Sequence, residues 1–127
     1  HIVHVGDSRA YLIGSQEISQ LTVDHSVVQS MVESGEIDEH QAKNHPNKNI
    51  VTRAIGVNHN ILCDYTLAIK PENSVLLICT DGLSNCLDND VIFNIVQNTE
   101  KEKCAKELIN RANDAGGSDN ITVVLIY

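Results

Sequence analysis

Short runs of β-branched residues, broken by glycine, asparagine and proline clusters, set the pattern of this chain. Residues 1–5 and 10–13 read as strands on either side of Gly6-Asp7-Ser8-Arg9. Gly14-Ser15-Gln16 predicts a hairpin turn into a strand over 17–21. Ser26 is placed to cap a helix over 27–34, with Val27, Val28, Met31 and Val32 on one face and Gly35 ending it. A second short helix over 38–44 stops at His45-Pro46. Residues 44–60 are rich in asparagine and predict no clear element apart from the apolar stretch 50–55. Strands follow over 61–69 and 74–80, joined by Lys70-Pro71-Glu72-Asn73. Helical spacing resumes over 91–96 after Asp88-Asn89-Asp90. Thr99 with Glu102 suggests a capping box opening a helix to about Asp114, closed by Gly116-Gly117. The segment 120–127 is almost continuously apolar, which predicts a buried strand. Strands and helices come in runs, so the expected class is α+β with mostly antiparallel pairing.

Composition narrows this picture. Ile and Val together number 27 while aromatic residues are only 3%, which favours sheets on aliphatic cores. No apolar run approaches the roughly 18 residues that would span a bilayer, so no membrane association is expected. The net charge of −8 disfavours nucleic acid and suits a protein that collects divalent cations. Cys63, Cys79, Cys86 and Cys104 form no C-x-x-C pair, and His25, His40, His45 and His59 show no zinc spacing. Reduced thiols and a cytoplasmic location are the expectation. The chain opens and closes in strand-like sequence, as expected of a piece of a longer protein.

Three aspartates recur where an extended segment meets a turn: Asp7, Asp81 and Asp119. Each has glycine close by, as Gly6, Gly82, or Gly116 with Gly117. Taken singly, each is an ordinary turn residue. Taken together, they form an oxygen-only donor set that suits Mg²⁺ or Mn²⁺. Arg9 and Arg53 suit either a phosphate or an ion pair. His25 suits a turn or an acid–base role. Ser8 and Ser118 lack a neighbouring histidine to activate them, which argues against a serine nucleophile.

Five segments in order carry a family resemblance: Val5-Gly6-Asp7-Ser8-Arg9-Ala10-Tyr11, Leu21-Thr22-Val23-Asp24-His25-Ser26, Val51-Thr52-Arg53-Ala54-Ile55-Gly56, Leu77-Ile78-Cys79-Thr80-Asp81-Gly82-Leu83 and Gly117-Ser118-Asp119-Asn120-Ile121-Thr122-Val123. Along essentially its whole length the chain resembles the metal-dependent serine/threonine protein phosphatases of the PPM (type 2C) family, bacterial branch. The resemblance implies an antiparallel β-sandwich flanked by helices. It implies two to three Mn²⁺ or Mg²⁺ ions, with Asp81 and Asp119 as ligands of the second and Asp7, with Asp81, of a third. Gly82 and Asn120 would line the site, and 26–49 would be a flap-like insertion beside it. Metal-activated water would hydrolyse phosphoserine and phosphothreonine on protein substrates, opposing a membrane kinase of the Hanks type.

The family's Asp-Gly-x-Gly-Gly motif and phosphate-binding arginine lie in its first half, and no such motif occurs here. Residues 1–127 therefore resemble the C-terminal part of a single phosphatase domain. Alone, this part is expected to bind metal weakly, to be inactive and to self-associate through bare strands. A catalytically silent regulatory module of the same fold is the rival reading, but loss of acidic ligands would be its mark, and Asp7, Asp81 and Asp119 are retained. A phosphatase of anti-sigma-factor antagonists is a third; the segment 26–49 with His45-Pro46 favours the kinase-opposing branch.

Overall fold

The computed structural model describes residues 1–57 and 59–127, and Asn58, within the asparagine-rich 44–60, lies outside them. The chain divides into two compact units, His1–Ser8 with Val23–Leu67, and Arg9–Thr22 with Ala68–Tyr127.

The second unit is built on one antiparallel sheet. Its strands are β2 (Arg9–Ile13), β3 (Ile18–Gln20), β5 (Val75–Cys79) and β6 (Val123–Ile126), in the order β3-β2-β5-β6. The hairpin at Gly14 closes with its N–H donating to the Glu17 carbonyl at 2.9 Å. Period-2 alternation sends Leu77 and Cys79 into the core and leaves Ile78 exposed. Against the inner face pack α3 (Asp81–Ser84), α4 (Asn89–Asn98) and α5 (Lys101–Asp114). Tyr11, Ile13, Leu77, Leu83, Ile92, Cys104 and Leu108 are fully buried there. Burying such side chains contributes roughly 1.5–3 kcal/mol each before entropy is counted.

The first unit pairs β1 (Ile2–His4) antiparallel with β4 (Asp64–Thr66), placing His4 opposite Asp64. It also holds α1 (Val27–Glu33) and α2 (Glu39–Lys43). Ser26 caps α1 by accepting from the Gln29 N–H, and Asp38 with Gln41 forms a reciprocal capping box on α2. Neither helix buries a residue, so the apolar face expected of Val27, Val28, Met31 and Val32 is only half covered.

Four expectations need correction. The strand expected over 61–69 contracts to Asp64–Thr66, with Leu62, Leu67 and Ile69 exposed. The stretch 50–55 forms one isolated bridge, Ser26 to Val51, rather than a strand. Thr99 ends α4, its N–H bonded to the Ile95 carbonyl, and Glu100 precedes α5 without a side-chain cap. Among the described residues the final apolar segment pairs only with β5, at the sheet edge, so Val124 and Ile126 are exposed rather than buried.

Candidate metal-binding site

Asp81 and Asp119 both belong to the second unit, and local chemistry brings their loops together. The strand β5 ends at Cys79, and Thr80 follows with extended backbone as the N-cap of α3. The Thr80 side chain faces the other loop. Its hydroxyl donates to the Asn120 carbonyl at 3.1 Å and accepts from the Thr122 N–H at 3.0 Å. The Thr80 N–H donates to the Thr122 carbonyl at 3.1 Å, continuing the β5–β6 ladder one step past the strand. Asp81 is thus the first residue beyond a fully bonded anchor.

Gly82 explains how closely the two loops approach. A Cβ there would lie 2.3 Å from the Asn120 carbonyl oxygen, well inside contact distance. Only glycine admits that backbone–backbone approach. Gly82 is buried, whereas Asp119 and Asn120 are exposed. Asp119 Oδ1 accepts from the Asn120 N–H at 2.7 Å, and Asp81 Oδ2 accepts from Asn85 at 3.3 Å. The pair expected as a simple Asp-Gly turn is therefore the opening of a four-residue helix.

Asp7, half-buried, lies in the first unit, in the turn after β1. The residues around that turn form a connected polar group. The buried His25 accepts the Gly6 N–H at Nδ1 (3.1 Å), and its own N–H donates to the Gly6 carbonyl (2.8 Å). Asp64 takes His25 Nε2 on one oxygen at 3.0 Å and Arg53 on the other at 2.7 Å. The hydrogen bonds from His25 and then from Arg53 hold the Asp64 carboxyl below the ordinary carboxylate range. Arg53 is thereby engaged in an ion pair, one of the two roles its sequence allowed.

His4 stacks on His25 with ring centroids 4.8 Å apart, and among the described residues its buried ring nitrogens have no hydrogen-bond partner of good geometry. Burial first, and the neighbouring His25 second, push its imidazole below the usual 6.5, against opposing pulls from the Ser8 backbone, Asp24 and Asp64.

Thr80 and Asp64 are the residues that sequence reading missed. Thr80 sits between an apolar strand and Asp-Gly, where a capping residue belongs; Asp64 is the lone acid within 61–69.

The donor chemistry of Asp81 and Asp119 fits a hard divalent cation. The set is partial: among the described residues no group of three or more His, Cys, Asp or Glu side chains gathers to hold a metal. Among the described residues, no helix is long and apolar enough to cross a membrane.

Residues 62–121 match the protein phosphatase 2C family profile. The serine/threonine phosphatase stp of Listeria monocytogenes is 42% identical over 127 residues, covering 98% of this chain and 50% of its own. The solved serine/threonine phosphatase of S. agalactiae superposes with a TM-score of 0.93 at 39% identity, covering 98% of this chain and 52% of that one. The catalytic domain of the serine/threonine phosphatase PstP, solved in complex with 2 manganese ions, superposes at 0.81 with 33% identity, covering 97% and 50%. In sequence and in fold this chain is similar to about half the length of bacterial serine/threonine phosphatases of the protein phosphatase 2C type. The chain spans about half the length of the relatives it matches.

Proposed function

We propose that residues 1–127 are the C-terminal part of the catalytic domain of a bacterial serine/threonine protein phosphatase, with 26–49 as its flap-like insertion. The observation that carries this reading is the contact of Gly82 with Asn120, which brings the loops bearing Asp81 and Asp119 against each other. The similarity to phosphatases over 98% of the chain supports it further.

In this reading Asp81 and Asp119 hold Mn²⁺ or Mg²⁺ through carboxylate oxygens, and Asp7 serves a further, weaker ion. Bound cations would supply positive charge to a phosphoryl group and acidify a coordinated water. Thr80 fixes the spacing of the two loops, and Gly82 keeps side-chain bulk out of it. The substrates are phosphoserine- and phosphothreonine-bearing proteins, the products of a cognate serine/threonine kinase, in the cytoplasm. No nucleic-acid or membrane partner belongs to this reading. The chain without the other half of its relatives' length is inactive and self-associates.

The test is hydrolysis of a phosphothreonine peptide by the intact protein with Mn²⁺. Asp81→Ala is expected to lower turnover the most, Asp119→Ala to raise the Mn²⁺ requirement, and Asp7→Ala to spare the tightest ions. Equal Mn²⁺ dependence in all three variants and the parent would sink the assignment.

A further inference from the structure

The turn carrying Asp7 has an unusual hold on it. Gly6 has φ 108°, a conformation that costs little only for glycine, so its neighbours must fix it in place. One residue takes both of its backbone polar groups. The Gly6 N–H donates to His25 Nδ1, and the Gly6 carbonyl accepts from the His25 N–H. His25 is 5% exposed, so water does not compete for these bonds.

The ring itself is held on every side. With Nδ1 accepting, the neutral ring carries its proton on Nε2, which lies 3.0 Å from Asp64 Oδ2 and also 3.0 Å from Arg53 Nη1. Arg53 fixes the other Asp64 oxygen at 2.7 Å. The His25 carbonyl accepts from the Thr52 N–H at 2.7 Å, binding the same residue to the segment that delivers Arg53. His4 stacks against the ring. All of these residues lie in one compact unit, and a single peptide bond separates the clamped Gly6 from Asp7.

We propose that His25 is a positioning residue for Asp7: its Nδ1 fixes the Gly6 turn that presents the Asp7 carboxylate to a divalent cation, while Asp64 sets its tautomer and ring orientation. This rests on the reading of Asp7 as a cation ligand. Groups that orient ligating carboxylates through a hydrogen bond change metal affinity without touching the metal. The two ring nitrogens have separate jobs, and this makes the proposal specific. An asparagine in place of His25 carries an acceptor near the position of Nδ1. A glutamine reaches only the position of Nε2.

The experiment is Mn²⁺ titration of the intact protein, followed by the paramagnetic resonance signal of free Mn²⁺, which resolves classes of bound ion without turnover. Asp7→Ala identifies the class that depends on Asp7. His25→Gln is expected to weaken that same class by about 10–100-fold and leave the others unchanged. His25→Asn is expected to keep it within about 3-fold of the parent, since the Gly6 bond survives. His25→Ala would vacate a buried site, so the contrast rests on the two partial mimics. Equal behaviour of the asparagine and glutamine variants, or weakening spread over every class, would overturn the proposal. If Asp7→Ala removes no class, the cation reading of Asp7 itself falls. If it removes one that His25→Gln retains, only the positioning role falls.

Discussion

Two residues with no charge decide whether two charged ones can act together. Thr80 spends its hydroxyl as both donor and acceptor on the 120–122 backbone, and Gly82 removes the side chain that would push that backbone away. The sequence marked Asp81 and Asp119 as candidates because each stood where a strand met a turn. It could not bring them together, because the 37 intervening residues carry no signal of which loops meet. Gly82 was legible as a turn glycine, but its need for glycine comes from the Asn120 backbone, far along the chain. Gly82→Ala therefore tests the local geometry. A Cβ 2.3 Å from the Asn120 oxygen forces the loops apart, and the expected loss is roughly 1–3 kcal/mol of stability in urea unfolding. An unchanged midpoint would contradict the packing described. His25 shows the same division: its buried bonds to the Gly6 backbone lie beyond any sequence pattern.

At the scale of elements, periodicity placed β2, β3, β5, α1, α2, α4 and α5 close to where they stand. It did so because α1 and α2 carry capping residues, α4 and α5 bury an apolar stripe, and the strands are β-branched runs bounded by turns. It failed where tertiary context decides. The apolar run 61–69 has strand composition, yet only Asp64–Thr66 meets a partner strand, opposite β1. The run 120–127 has the composition of a central strand but forms the edge strand β6. Cross-strand register places Leu76 opposite Ile126 and Ile78 opposite Val124, so one sheet face presents an apolar row. Ile78, Val124 and Ile126 are 40%, 48% and 45% exposed. An apolar row on a sheet with an open edge favours association. The chain by itself is expected to show a concentration-dependent mass by light scattering, reduced by Val124→Lys. A monomer at every concentration would count against this.

At the scale of the molecule, the chain carries two compact units, a net charge of −8 and carboxylates in both units at the ends of strands. Its class, α+β with antiparallel sheets, was legible from the order of runs, and its likeness to the PPM phosphatases from five short motifs in sequence. The second unit has a continuous aliphatic core, and the loops of Asp81 and Asp119 hang from it. The first unit is organised by a polar group around a buried histidine, so composition gave little notice of it. The central proposal concerns the second unit, that Asp81 and Asp119 act as a joint cation site. Calorimetric titration of Mn²⁺ into the chain, beside an Asp81→Ala, Asp119→Ala double variant of equal circular dichroism, tests it most directly. The account predicts weak, saturable binding by the chain and none at that site in the variant; identical isotherms for the two would contradict it.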